Sequence, residues 1–291
     1  MTSLSVTPVD YETVVQRFPK AGDRRPPRMA KWRCNLTALS QFRNLYFVAC
    51  RDEIYVYRPS YPKQKVPSKP AGIIKLAQTR PDIQGYIDFR LPQGVNHLLV
   101  RELGLSEILL LACDGGDVIG YYVRDIEKAI QSSKNSACLA VVPFFNENVG
   151  NSAWGLDVHT SERLIAVSSN SHDIHVFAFA LSGKVEGESR AMPKSSSTDD
   201  LVFEHGKLGA NGLLSSKWRI CTRKSDCYRR QKVDYVWVLE AHEGNIPSIA
   251  FHNEEVEDPS RVLLASTDIH GRTNITSIWR RETEGFEFHG K

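Results

Sequence analysis

The chain has 291 residues, 41% of them hydrophobic, which is enough for one large domain or two ordinary ones with a substantial core. Its net charge of +3 creates no whole-molecule field that would force a nucleic-acid or membrane partner. Met1–Asp10 lacks a basic start and an apolar core, and the runs Ile108–Cys113 and Leu139–Phe145 are far shorter than the ~20 residues of a membrane helix, so the expectation is a soluble intracellular chain.

Residues 1–30 read as a flexible basic arm, with Arg24, Arg25 and Arg28 around Pro26 and Pro27. From residue 31 one plan recurs four times: a short apolar strand, a turn, a second apolar strand, a tight polar turn, then a strand rich in aromatics. The first unit runs Leu36–Leu39, Leu45–Cys50, a turn at Arg51–Glu53, and Ile54–Tyr57. A long polar loop rich in Pro and Lys follows over 58–82. The second unit runs His97–Val100, Glu107–Cys113, a turn at Asp114–Asp117, and Val118–Tyr122, with a short helix predicted over Asp125–Ser132. The third runs Ala153–His159, Leu164–Ser169, a turn at Asn170–Asp173, and Ile174–Phe179. A second long polar loop, 183–234, separates it from the fourth: Ile246–Phe251, Val262–Ser266, a turn at Asp268, and Ile275–Trp279.

These patterns predict an all-β chain. The middle strand of each unit is continuously apolar, as a strand covered on both faces must be. The strand after it alternates, with Ile174, Val176 and Ala178 on one side and His175, Phe177 and Phe179 on the other. Adjacent blades of a β-propeller supply those two covers. A β-sandwich would accommodate the strands but not the recurrence of one strand–turn–strand grammar with an Asp at the same place.

The fourth unit resembles a WD repeat: His242 follows Ala241 where that family usually has Gly-His, Ser266 and Asp268 close the second strand, and Trp279 ends the third. The resemblance implies a buried structural network of His242, Ser266, Asp268 and Trp279. Arg280 after Trp279, and extra residues between Asp268 and Trp279, depart from the pattern. Asn35–Ser40, Asn44–Ala49, Ile54–Pro59, Glu107–Asp117, Asn148–Leu156, Leu164–Ser169 and His175–Phe179 resemble the fungal regulators of ribonucleotide-reductase gene transcription. That resemblance covers most of 30–182 and 236–279. It implies a nuclear WD-repeat scaffold that works through protein–protein contacts, or a substrate receptor of a cullin-type ubiquitin ligase. Family members are considerably longer, so the expected fold is an incomplete WD-like propeller of about four recognisable blades spanning 31–291.

No active site is legible. His242, Ser266 and Asp268 have the composition of a hydrolytic triad, but triads are defined by geometry and the WD pattern assigns the same residues a structural role. His172 and His175 are three apart along a strand, which sends them to opposite faces. The six cysteines include no C-x-x-C pair, and Cys221 and Cys227 have no second pair nearby, so neither zinc nor a disulfide framework is expected. Gly206, Gly209 and Gly212 lack the Lys-Ser/Thr of a phosphate loop. No cofactor is implied.

Basic segments offer a different reading. Arg17–Arg33 holds seven cations against Asp23, Arg58–Arg80 holds six and no acid. Lys217–Lys232 holds seven (Lys217, Arg219, Arg223, Lys224, Arg229, Arg230 and Lys232), interleaved with Trp218 and Tyr228 and opposed by Asp226. Together with Arg24, Arg25 and Arg28 these residues are candidates for nucleic-acid contact or a nuclear-import signal. Ser196 and Ser197, with acids three residues downstream, suit an acidophilic kinase.

Overall fold

A strand such as Ile108–Cys113 has no polar face to offer water, so the fold must cover it on both sides. The computed structural model describes residue 33 and residues 35–63, 65–76, 82–133, 138–179, 217–219, 235–253, 261–282 and 285–287. Each repeat in it is one antiparallel sheet. Blade 1 is β1 (Thr37–Leu39), β2 (Tyr46–Cys50), β3 (Glu53–Tyr57) and β4 (Gly72–Lys75). Blade 2 is β5 (Val95–Leu103), β6 (Ser106–Cys113), β7 (Asp117–Tyr122) and β8 (Phe145–Asn148), with helix α1 (Val123–Ser132) between β7 and β8. Blade 3 is β9 (Ala153–His159), β10 (Leu164–Ser169), β11 (Asp173–Ala178) and β13 (Tyr235–Glu240), with β12 (Lys217–Arg219) paired outside β13. Blade 4 is β14 (Ser248–Phe251), β15 (Arg261–Thr267), β16 (Thr273–Glu282) and β17 (Gly285–Glu287).

The first strands of successive blades, β1, β5, β9 and β14, lie beside one another, so the blades radiate from a shared inner wall. The result is an all-β propeller arrangement with four blades among the described residues. Most of its core lies in three apolar wedges, each between two blades, with a smaller cluster of Val48, Cys50 and Tyr57 on blade 1. Ile54, Val56, Leu109 and Leu111 fill the first, Leu110, Leu156, Phe177 and Phe179 the second, and Ile174, Val176, Trp237 and Leu264 the third. The alternation of β11 therefore splits as its sequence predicts: Ile174, Val176 and Ala178 face blade 4, while Phe177 and Phe179 face blade 2. Every residue of β10 is buried.

Each blade has a fourth, outer strand that the three-strand grammar does not contain. Within the expected loop 58–82, Gly72–Lys75 forms β4, and the segment after α1 covers its free edge, with the Leu139 N–H donating to the Ile73 carbonyl at 2.8 Å. A covered edge cannot recruit a foreign strand. Within the expected loop 183–234, Lys217–Arg219 pairs with Val236–Val238. The remainder of that stretch up to 234, the 1–30 arm and the Ser196 and Ser197 sites lie outside the described residues.

Side chains also stitch one blade's inner strand to the next. The Asn96 amide donates to the Ala153 carbonyl at 2.8 Å, His97 Nδ1 bonds the Trp154 carbonyl at 3.0 Å, and the Phe251 N–H donates to Asp157 Oδ2 at 2.6 Å. Because a carbonyl only accepts, Nδ1 of His97 carries the proton. Burial holds His97 below the ordinary imidazole value of 6.5, and burial likewise lowers His159 against the opposing pull of Glu162 and Asp157. The unfolded chain binds protons near 6.5 that the folded chain refuses, so these two groups remove stability as pH falls below 6.5. Asp157 acts with the opposite sign, since burial raises its carboxyl above 3.8 and the fold gains as pH drops through that raised value. The expected result is that His97→Gln flattens the fall in the thermal midpoint between pH 7 and pH 5.5. Parallel pH curves for the two proteins would show that His97 titrates normally.

Candidate protein-interaction face

One end of the propeller is built from the turns after β2, β6, β10 and β15 and from the connections entering β5, β9 and β14; it is termed the upper face. In blade 4 the connection before β14 carries His242, and β15 ends just past Ser266 and leads to Asp268. His242 Nε2 lies 2.8 Å from Ser266 Oγ, and Nδ1 lies 3.1 Å from Asp268 Oδ2. The other Asp268 oxygen accepts the His270 and Arg272 N–H groups, each at 2.9 Å. Burial works to raise the Asp268 carboxyl, but the bonds from Arg272, His242 and His270 outweigh it and hold it below its ordinary value. The three side chains have the connectivity of a hydrolytic triad. Ser266 is only 2% exposed, however, so no substrate reaches its hydroxyl, and the arrangement ties two upper-face connections together.

The backbone of Trp279 lies farther along β16 than the residue opposite Ser266. A bulge at Ile278 places its backbone opposite Val262, whereas Ser266 faces Asn274, and four strand residues correspond to ~13 Å. The Trp279 side chain lies outside the described residues.

A denser polar centre occupies the corresponding place in blade 2, built on the Asp that recurs in the turn after the second strand. Asp114, fully buried in the turn after β6, receives the Ile87 and Asp88 N–H groups on Oδ2 at 2.8 and 2.9 Å. Its Oδ1 accepts the Ser152 hydroxyl at 2.9 Å, and Ser152 in turn accepts from the Asn96 amide at 3.0 Å. Backbone bonds complete the anchorage: Gly115 N to Pro92 O at 2.6 Å, Asp114 N to Gly94 O at 2.9 Å, and Leu91 N to Asp88 O at 2.8 Å. The connection 82–94 is thereby anchored at Tyr86–Asp88 and again at Leu91–Gly94. Fixed in this way, it holds Tyr86 (58% exposed), Ile87 and Phe89 (63% exposed) out toward solvent. Rigid, solvent-facing aromatics at small entropic cost are what binding hot spots are made of. The recurring Asp after each second strand was the sequence signal; which loop it anchors was not.

The basic candidates are not assembled by the described residues. Lys217 and Arg219 sit on the edge strand β12, with only their backbone described. Arg24, Arg25, Arg28, Arg223, Lys224, Arg229, Arg230 and Lys232 lie outside the described residues. His172 is in the turn after β10 with φ +69°, and among the described residues no group of three or more His, Cys, Asp or Glu could hold a metal ion.

Comparison with known proteins adds three findings. A family model described as CRT10 matches residues 24–286. An uncharacterized WD repeat-containing protein of Schizosaccharomyces pombe is 26% identical over 250 residues, covering 85% of this chain and 40% of the relative. The chain thus spans well under half the length of that curated relative. Among solved structures, Chaetomium thermophilum Sqt1 bound to the N-terminus of the ribosomal protein L10 is similar over 87% of this chain and 48% of that one, with 13% identity and a TM-score of 0.42.

Proposed function

Since the chain belongs to the CRT10 family, we propose that it is a non-enzymatic nuclear scaffold that regulates ribonucleotide-reductase transcription through protein–protein contacts. Family membership across residues 24–286 carries this reading. WD-type blades bring two properties that suit it: a rigid inner wall, and loops free to vary at the blade ends. The contact surface in this reading is the upper-face connection 82–94, where Tyr86, Ile87 and Phe89 insert into an apolar recess of a folded protein. No bond is made or broken. The partner is held by burial of aromatic surface, and transcription changes because the partner's location or assembly changes.

Two substitutions, Tyr86→Ser and Phe89→Ser, test it. Both side chains face solvent, so the fold should tolerate the pair, while a hot-spot aromatic contributes about 2 kcal/mol or more to binding, roughly 30-fold in affinity. Cells lacking the protein should show altered ribonucleotide-reductase transcript levels, restored by the wild-type chain and not by the double variant. Transcripts unchanged by deletion would end the transcriptional reading. Tagged protein recovered from nuclease-treated nuclear extract supplies the partners; a cullin with its adaptor among them would move the assignment to a ubiquitin-ligase receptor.

A further inference from the structure

We infer that Arg33 is a positioning residue that pins the upper-face connection 82–94 in its docking conformation, and so links the segment entering blade 1 to the contact surface. The inference rests on the proposed docking role of that connection. Arg33 precedes β1, yet its side chain does not stay with blade 1: it reaches blade 2 and is only 6% exposed there. Its Nη1 donates to the Val95 carbonyl at 3.0 Å, at the point where the connection becomes β5. Nη1 also occupies the space that a side chain on Gly94 would enter, 3.2 Å from the Cβ position. Its Nη2 stands 4.0 Å from Asp114 Oδ1, the carboxylate whose other oxygen holds the Ile87 and Asp88 amides.

Burial works to lower the Arg33 pKa, and the carboxylates of Asp114 and Asp88 oppose it. The cation therefore meets the connection at two places, through Asp114 and at the Val95 carbonyl where the connection becomes β5. Asp114 is enclosed and accepts from neutral donors as well; the guanidinium is the charge that makes a fully buried carboxylate tolerable there. Without it, the buried carboxylate is left with neutral donors, and the two amides it holds are the groups whose anchorage loosens. A residue at the start of the first blade therefore governs how Tyr86, Ile87 and Phe89 are presented from the connection into the second.

Amide hydrogen exchange on the full chain tests this with Arg33→Met, which keeps the bulk and removes the charge, and Arg33→Lys, which keeps the charge. Arg33→Met should speed exchange at Ile87 and Asp88 by ~10-fold or more while β6 and β10 amides keep their wild-type rates, and Arg33→Lys should restore part of the protection. Unchanged exchange at Ile87 and Asp88, or equal acceleration in β6 and β10, would overturn the inference, because Arg33 would then be idle or merely a general stabiliser. Exchange needs no partner, which separates the two readings. A loosened connection that still retains every wild-type partner from nuclear extract would sink the docking role and leave the pin standing. Unaltered exchange, with partners lost on Tyr86→Ser and Phe89→Ser, would do the reverse.

Discussion

Replacing Gly116 with alanine should destabilise the protein by about 4 kcal/mol, the sum of backbone strain and overpacking. Gly116 has φ +85°, a conformation that L-residues with a side chain rarely adopt. A Cβ there would stand 1.6 Å from the Gly150 carbonyl oxygen, so backbone would have to yield. It cannot do so cheaply, because the two turns are bonded to each other. The Val149 N–H donates to the Gly116 carbonyl at 2.9 Å, and the Asn148 amide donates to the Gly115 carbonyl and to Asp117 Oδ1 at 3.0 and 2.8 Å. Gly271→Ala is the matched control. It shares a positive φ of +79° but has nothing within 4 Å of its Cβ position, so it should cost only about 1 kcal/mol. Urea unfolding of the two variants separates strain from contact. Equal losses would mean that the turn after β8 retreats freely from the turn after β6.

Asp114→Ala is expected to cost about 3–5 kcal/mol, because it leaves buried donors and a buried cation without their acceptor. The Ile87 and Asp88 N–H groups and the Ser152 hydroxyl would lose their partner together, and Arg33 would lose its carboxylate. Asp114→Asn keeps the shape and one acceptor oxygen, so it should fall between the alanine variant and wild type. Thermal unfolding gives the stability, and limited proteolysis across 82–94 shows whether the damage starts at the upper face. A loss under about 1 kcal/mol in Asp114→Ala would mean that water replaces the carboxylate.

Much of the fold is legible in the residues because burial writes itself into period. β6 and β10 are read as doubly covered strands from their unbroken apolar runs, and the two faces of β11 are read from alternation alone. α1 is predicted within two residues of its observed start. The outer strands are a different matter. β4 is Gly-Ile-Ile-Lys and β8 is Phe-Asn-Glu-Asn, four residues each and too short for an apolar period to stand out. Averaged over a Pro- and Lys-rich neighbourhood, β4 looks like loop. Its pairing with Glu53–Val56 is made by backbone hydrogen bonds, which leave no signature in the side chains.

The same division holds at the upper face. His242, Ser266 and Asp268 are singled out by the resemblance of the fourth unit to a WD repeat, and their side chains bond as that resemblance implies. Asp114 could be seen only as a turn residue. Its carboxylate meets two backbone amides 27 and 26 residues away and a serine hydroxyl 38 residues away, and an amide carries no mark of which carboxylate it will meet. The sequence by itself determined the repeat, the apolar strands and the alternating faces, since each is local periodicity imposed by burial; the histidine network followed from the resemblance of the fourth unit to a WD repeat. Only the tertiary structure decided which connection Asp114 holds, where Arg33 goes, and which aromatics stay in water, because those outcomes depend on distant segments meeting in space.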